Sequence, residues 1–300
     1  MAVMTHEQRV DADARVRRAI GVRRKGLGDD APPMPSLPGS PGAIKASTRL
    51  LIEDDLVMTR LFGFGEVWGR PALGLKLRSL LTVALLCSKR ASDELAAHIN
   101  NALNQGISPD EIHETLLHAG LYCGVPAWRR ATWLARFVFG ERGIPALTEP
   151  DTPVVETATE ARGRRGAAVM NRLRLHEIVT EDETRPLTPL LGGRETAAGV
   201  NISMLQDIAA IHKSYAYGEV WSRPGLPLKT RNMLTIALLA SLFLTDQLHA
   251  HINGALNLGT SPEEIHEILL HTAVYASFAA RNTAANVARD VFIQRGILVA

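Results

Sequence analysis

Residues 95–122 read LAAHINNALNQGISPDEIHETLLHAGLY, and residues 248–275 read LHAHINGALNLGTSPEEIHEILLHTAVY. A second pair of stretches, FGFGEVWGRPALGLKLRSLLTVALL (62–86) and YAYGEVWSRPGLPLKTRNMLTIALL (215–239), stands at the same offset of 153 residues. Roughly half of the aligned positions are identical, without a gap, which marks an internal duplication. The equivalence extends upstream, where VRRAIGV (16–22) and RGAAVMNRLRL (165–175) hold similar places. Each half is then a unit of about 150 residues, a common domain size. The chain divides into residues 1–148 and 149–300, with the boundary in the Pro- and acid-containing stretch 145–160. Two further irregular arms are expected at 26–43, rich in Pro and Gly, and at 180–199.

The repeated blocks read as helices. A helix over 76–89 (229–242) is apolar all round, the pattern of a buried core helix. The next, over 93–104 (246–257), starts after the cap-type residues Ser92 and Thr245 and ends before Gly106 and Gly259, where a left-handed glycine closes a helix. A third opens with SPDE (108–111) and SPEE (261–264). There Ser caps, Pro takes the first helical position and Glu at the third closes a capping box. Helices are also expected over 127–140 (280–293) and, ahead of GEVW, over 50–62 (203–216). No alternating run is long enough for a strand, so the fold class is all-α.

Composition narrows the function. Of 300 residues 46% are hydrophobic and 21% charged, which excludes disorder along the whole chain. The net charge of +2, from 33 basic and 31 acidic residues, provides no field to steer a polyanion, so nucleic acid is not an expected partner. Apolar runs such as LLTVALLC (80–87) are too short to span a membrane, and MAVMTHEQRV has no signal-peptide pattern. Two cysteines make no disulfide framework and point to a reducing cytoplasm.

Several polar residues sit in apolar surroundings. His98 and His251 share a helix face with Leu95/Leu248 and Ala102/Ala255, so each is either a satisfied core histidine or a proton carrier. Glu66 and Glu219, in GEVW, either cap a backbone amide or serve acid–base work. Arg78 and Arg231, alone in the core helix, either pair with a carboxylate (Glu66 with Arg78 is one such pairing) or hold an anionic ligand. His113 and His118, and their counterparts His266 and His271, are five apart, about 140° around a helix, and cannot chelate one metal. No metal site is expected. Cys87 and Cys123, replaced by Ala240 and Ala276 in the second half, read as small core residues.

Taken together, G-E-V-W-x-R-P, K-x-R-x-x-L-T-x-A-L-L and H-I-N-x-A-L-N-x-G-x-S-P-x-E-I-H-E-x-L-L-H-x-x-x-Y resemble the carboxymuconolactone decarboxylase family, within the alkylhydroperoxidase D-like superfamily. The resemblance covers some 80 residues in each half. It implies two tandem helical domains, ring assembly as a trimer of tandem units forming a pseudo-hexamer, and chemistry without a cofactor. It further implies decarboxylation of a carboxylated lactone or β-keto acid through an enolate, with a small carboxylate as substrate. His98, Glu66, His251 and Glu219 then fall at catalytic positions, with Arg78, Arg231, His118 and His271 binding substrate. Tautomerisation, isomerisation or cyclisation in the same pocket is the alternative chemistry, and a non-catalytic binding module the alternative class. The peroxidase branch carries C-x-x-C, but Ala91 and Glu94 (Leu244 and Gln247) occupy those places, so thiol peroxidase activity is not expected. The second half has YASFAA (275–280) where the first has YCGVPA (122–127), so the two pockets are expected to differ.

Overall fold

A computed structural model describes Gly21 and residues 56–145, 159–174 and 212–299. The arms at 26–43 and 180–199 and the boundary near 148 lie outside the described residues. Eleven helices and no strand are found among the described residues, in agreement with the all-α reading. In the first half these are α1 (Leu56–Trp68), α2 (Leu75–Lys89), α3 (Ser92–Asn104), α4 (Pro109–Cys123) and α5 (Val125–Glu141). The helix α6 (Thr159–Leu173) leads into the second half, followed by α7 (His212–Trp221), α8 (Leu228–Ser241), α9 (Thr245–Asn257), α10 (Pro262–Tyr275) and α11 (Phe278–Gln294). No described helix is long and apolar enough to cross a membrane.

Local chemistry sets most of the boundaries. Both capping boxes form: Ser108 accepts from the Glu111 backbone amide while the Glu111 carboxylate accepts from the Ser108 amide, and Ser261 and Glu264 repeat this. Gly106 (φ 71°) and Gly259 (φ 75°) close α3 and α9 in the left-handed region. The expected caps Ser92 and Thr245 differ. They are the first helical residues, and the flanking Ala91 and Leu244 make no side-chain cap. The helices ahead of GEVW also differ from expectation. Rather than stopping before that motif, α1 and α7 run through it to Trp68 and Trp221, wound with the wider i→i+5 hydrogen bonding of a π-helix. Two glycines bring α6 close to α7. A Cβ on Gly166 would strike the Lys213 carbonyl, and one on Gly218 the Arg162 carbonyl.

The two core helices lie at the centre of the molecule. In α2 every residue from Arg78 to Cys87 is buried, and in α8 every residue from Arg231 to Ser241. They pack on each other, with Ser88 and Ser241 hydroxyls 3.4 Å apart and Lys89 Nζ donating to the Ser241 carbonyl at 2.8 Å. One continuous hydrophobic core therefore runs through both halves, from Leu81 and Leu85 to Leu234 and Leu238. Around this axis the halves exchange elements reciprocally. Helix α10 packs on α1 and α2, and α4 packs on α7 and α8.

Buried charge fastens the exchange. Arg78, 0% exposed, donates to Glu267 of the other half at 2.9 Å. Arg231, equally buried, donates to Glu114 at 2.7 Å. The pairing of Arg78 with Glu66 suggested by the sequence is thus replaced by a pairing across the halves. Removing one member of such a pair strands a buried charge, at a cost of about 3–5 kcal/mol. Glu267→Ala should therefore lower the free energy of unfolding in urea by that amount, while Glu263→Ala, on the exposed face of the same helix, should leave it nearly unchanged.

Candidate active site

Each reciprocal exchange builds one polar constellation from residues of both halves. In the first, Trp68 of α1 lies against His98 of α3 (ring centroids 6.0 Å) and against His271 of α10 (5.2 Å). Trp68 Nε1–H donates to the Tyr275 hydroxyl at 2.9 Å, and Tyr275 meets His98 edge-on at 5.5 Å. In the second, Trp221 of α7 stacks on His251 of α9 (5.5 Å) and meets His118 of α4 (4.9 Å). The Tyr122 ring lies 5.5 Å from that of His118. The histidines predicted from sequence are brought together, but crosswise: His98 with His271, and His251 with His118.

Three of these groups come from one face of one helix. Glu114, His118 and Tyr122 are successive i, i+4 neighbours on α4, as are Glu267, His271 and Tyr275 on α10. That ladder is written in the sequence twice, yet Glu114, Glu267, Tyr122 and Tyr275 are absent from the residues selected there. Its signal was a carboxylate at the spacing that places it under a histidine. Arg70 and Arg223, from the R-P of the GEVW block, complete the set. Glu267 accepts from Arg70 Nε at 2.5 Å as well as from Arg78, and Glu114 accepts from Arg223 Nε at 2.6 Å as well as from Arg231. Burial opposes the charge on Glu114, but hydrogen bonds from Arg231 and Arg223 outweigh it and hold the carboxyl below its usual range. Each cluster sets two guanidiniums against one carboxylate and so keeps one surplus positive charge.

An amide fixes the proton-bearing nitrogen of His251, and threonine hydroxyls favour one tautomer of His118 and of His271. Thr235 has two acceptors for its one proton, the Arg231 carbonyl and the Tyr122 hydroxyl (both 3.0 Å), and with that proton on either of them its oxygen accepts from His118 Nε2 at 2.8 Å. Thr82 does the same for His271 Nε2, also at 2.8 Å, while donating to the Arg78 carbonyl. Nδ1 of both rings is then an acceptor, buried and without a protein partner. His251 is held differently. Asn232 donates from Nδ2 to the His251 carbonyl at 2.9 Å, which turns its own Oδ1 toward His251 Nδ1 at 2.7 Å. An amide oxygen only accepts, so His251 carries its proton on Nδ1 and its lone pair on Nε2. In the first half Ser79 stands at the place of Asn232. Its hydroxyl accepts from Gln105 at 2.8 Å, and His98 Nδ1 has no protein partner.

Glu66 and Glu219 lie half-buried on α1 and α7, and Glu219 accepts from Arg165 of α6 at 3.3 Å. Arg78 and Arg231 are the buried members of the charge clusters, with Arg70 and Arg223 the members that reach solvent, 45% and 34% exposed at the side chain. Among the described residues no group of three metal-type side chains occurs. Cys87 lies in the hydrophobic core and Cys123 packs against it, in line with the sequence reading. Although 36 residues apart, Cys87 and Cys123 meet with their sulfurs 3.8 Å apart.

Burial lowers all four histidines, to about 4 for His98 and about 3 for His251, and well below the ordinary value for His118 and His271. Each ring is neutral in the folded protein at neutral pH, and the unfolded chain binds more protons below about pH 6.5. Stability is therefore full above that value and falls as pH drops from about 6.5 toward the folded pKa values. Each enclosed ring should contribute a slope of up to about 1.4 kcal/mol per pH unit. His98, half-buried as a residue and less strongly shifted than His251, should contribute less. Urea unfolding at pH 7 and pH 5 should show the loss, and His118→Gln should reduce it.

With this geometry in place, the likenesses are informative. The sequence model of the carboxymuconolactone decarboxylase family matches residues 58–136 and 206–290. The 4-carboxymuconolactone decarboxylase of Acinetobacter baylyi is 42% identical over 92 residues, 31% of this chain and 69% of that protein. The nitrosuccinic acid decarboxylase npaB of Metarhizium robertsii is 46% identical over 66 residues, 22% of this chain and 46% of that protein. An uncharacterized 15.0 kDa protein of Paracoccus denitrificans is 32% identical over 80 residues, 26% of this chain and 60% of that protein. Both matched regions span the helices that build the two constellations, and the chain belongs to the carboxymuconolactone decarboxylase family, with the family's domain present twice.

Proposed function

We propose that the protein decarboxylates a small carboxylate whose scissile carbon is conjugated to a lactone or keto carbonyl, and that the constellation around His251 is the working one. The observation that carries this reading is that one constellation holds both a surplus cation, next to His118, and the fixed neutral imidazole of His251. The Arg223–Glu114–Arg231 cluster keeps one uncompensated positive charge, and Arg231 Nε and Nη1 are buried donors without a protein acceptor. Those are donors of the kind a carboxylate takes. The names of the two curated decarboxylases support the same reaction class.

Loss of carbon dioxide leaves its bonding electrons on the conjugated carbonyl as an enolate, which must then gain a proton at carbon. His251 is neutral before substrate arrives, so its proton has to come with binding. The negative charge of the bound carboxylate, in an enclosed site, raises the affinity of His251 Nε2 for a proton. The imidazolium then delivers that proton to carbon and returns to the neutral tautomer set by Asn232. Glu219 lies on the same π-helix as Trp221 and is assigned to orient the transfer. Trp221 and Tyr122 enclose the site and keep water from the enolate. The same neutral base could instead remove a proton next to a carbonyl, which supports isomerisation as the second reading.

Carbon dioxide release on a panel of carboxylactones and β-keto acids tests the proposal. His251→Ala should reduce the rate about 10²–10⁴-fold. His98→Ala should reduce it much less, because the tautomer of His98 is not held. Solvent-deuterium exchange into substrate without carbon dioxide release would establish the isomerase reading instead. Asn232→Ser, which copies the first half, should lower kcat with little change in KM and should alter the pH profile of kcat. An unchanged profile would remove Asn232 from the positioning of His251.

A further inference from the structure

A cavity of about 120 Å³ lies between the end of α2, the start of α3 and the start of α5. Cys87, Leu95, Ala127 and Ala131 form its apolar walls, and all four are buried. In the second half Leu248, Ala280 and Ala284 hold the places of the last three, so these walls repeat. The rim does not. Arg90 and Arg130, both exposed, give the cavity a cationic edge, and Phe243 and Thr283 stand at their places. The cavity is separate from both histidine constellations, although Leu95 is three residues ahead of His98 on α3.

The rim cations meet no protein anion. Among the described residues neither guanidinium pairs with a carboxylate, although Asp93 and Glu94 lie in the first turn of α3. Arg130 is braced from two directions. Its Nε donates to the Ser92 hydroxyl at 3.4 Å, and its guanidinium carbon lies 4.8 Å from the centre of the Trp133 ring. Its two Nη nitrogens, the fork that grips an oxyanion, have no acceptor among the described residues. Asn286 stands at the place of Trp133, so the second half lacks the brace together with the cation. Arg90 takes φ 57° at the end of α2, and Phe243 takes φ 60° at the equivalent point. The backbone turn is kept in both halves, while the charge occurs in one. Two cations at one rim repel each other unless an anion lies between them.

We propose that this cavity binds a small organic carboxylate, its short aliphatic body against the apolar walls and its carboxylate between Arg90 and Arg130. A body of about four or five carbons suits the volume, since an apolar cavity of about 150 Å³ accommodates benzene. An inorganic oxyanion would satisfy the rim and leave the walls unfilled. An uncharged analogue would fill the walls and leave the rim unneutralised. The assignment does not depend on the decarboxylase reading.

The test follows the four tryptophan indole N–H signals of the isotope-labelled full chain by NMR while isovalerate is added. Trp133→Phe identifies the Trp133 signal, which should shift and saturate. A carboxylate entering a histidine constellation would instead move the signal of Trp68 or Trp221, which lie against His98 and His251. Arg90→Gln combined with Arg130→Gln keeps side-chain length and removes both charges at exposed positions, where such changes leave folding intact. This double variant should bind isovalerate about tenfold more weakly or worse, through loss of the charge-assisted hydrogen bonds. Isovaleramide and inorganic phosphate should fall short of isovalerate by a similar factor. The proposal is overturned if isovalerate leaves the Trp133 signal in place, if the double variant binds it as tightly as the wild type, or if isovaleramide or phosphate matches it.

Discussion

Four charged side chains almost closed off from water tie the two halves of this chain together. A guanidinium at the centre of an apolar helix is tolerable only with a carboxylate against it, and neither Arg78 nor Arg231 finds that carboxylate in its own half. Glu267 and Glu114 sit on helices of the opposite half, so satisfying the charge obliges α10 to lie on α2 and α4 to lie on α8. The histidine and tyrosine of each constellation ride on those same helices, one and two turns beyond the glutamate. Assembly of the fold and assembly of the site are thus one event. Hydrophobic burial supplies the bulk of the driving force, while the ion pairs select the arrangement in which it is realised.

Much of the architecture was legible from residues alone because its signals are local. Capping boxes, closing glycines and an all-round apolar helix each depend on neighbours within a turn or two, and all were found where expected. The histidines were legible as candidates for a similar reason, as polar residues on apolar faces. Their partners were not. Repeat alignment places His98 above His251, which invites the assumption that each half builds its own site, whereas the contacts pair His98 with His271. The Glu–His–Tyr ladder needed only i, i+4 arithmetic, but a glutamate is ordinarily read as solvent-facing. Cys87 and Cys123 meet through packing of α2 on α4, which no local spacing encodes.

The two halves are equivalent in framework and different in detail. Trp, Tyr, Thr and the Arg–Glu–Arg cluster recur in both, while Asn232 stands opposite Ser79 and a thiol pair opposite two alanines. The parts that repeat are those that bury surface or neutralise charge. The parts that diverge are those that hold a proton or an electron pair at a named atom. This division follows from tolerance, because a core of shared helices penalises changes of volume and charge far more than changes in a hydrogen-bond partner.

Joining the halves in one polypeptide has a kinetic consequence. If each half were a separate chain, every site would form only by a bimolecular encounter, and dilution would empty it. A covalent connection replaces that encounter with an intramolecular one. Site occupancy then no longer depends on how much protein a cell makes. The connection also breaks a genetic symmetry. In a dimer of identical chains, one substitution alters both sites at once. Here Asn232 stands beside His251 while Ser79 holds the equivalent place in the first half.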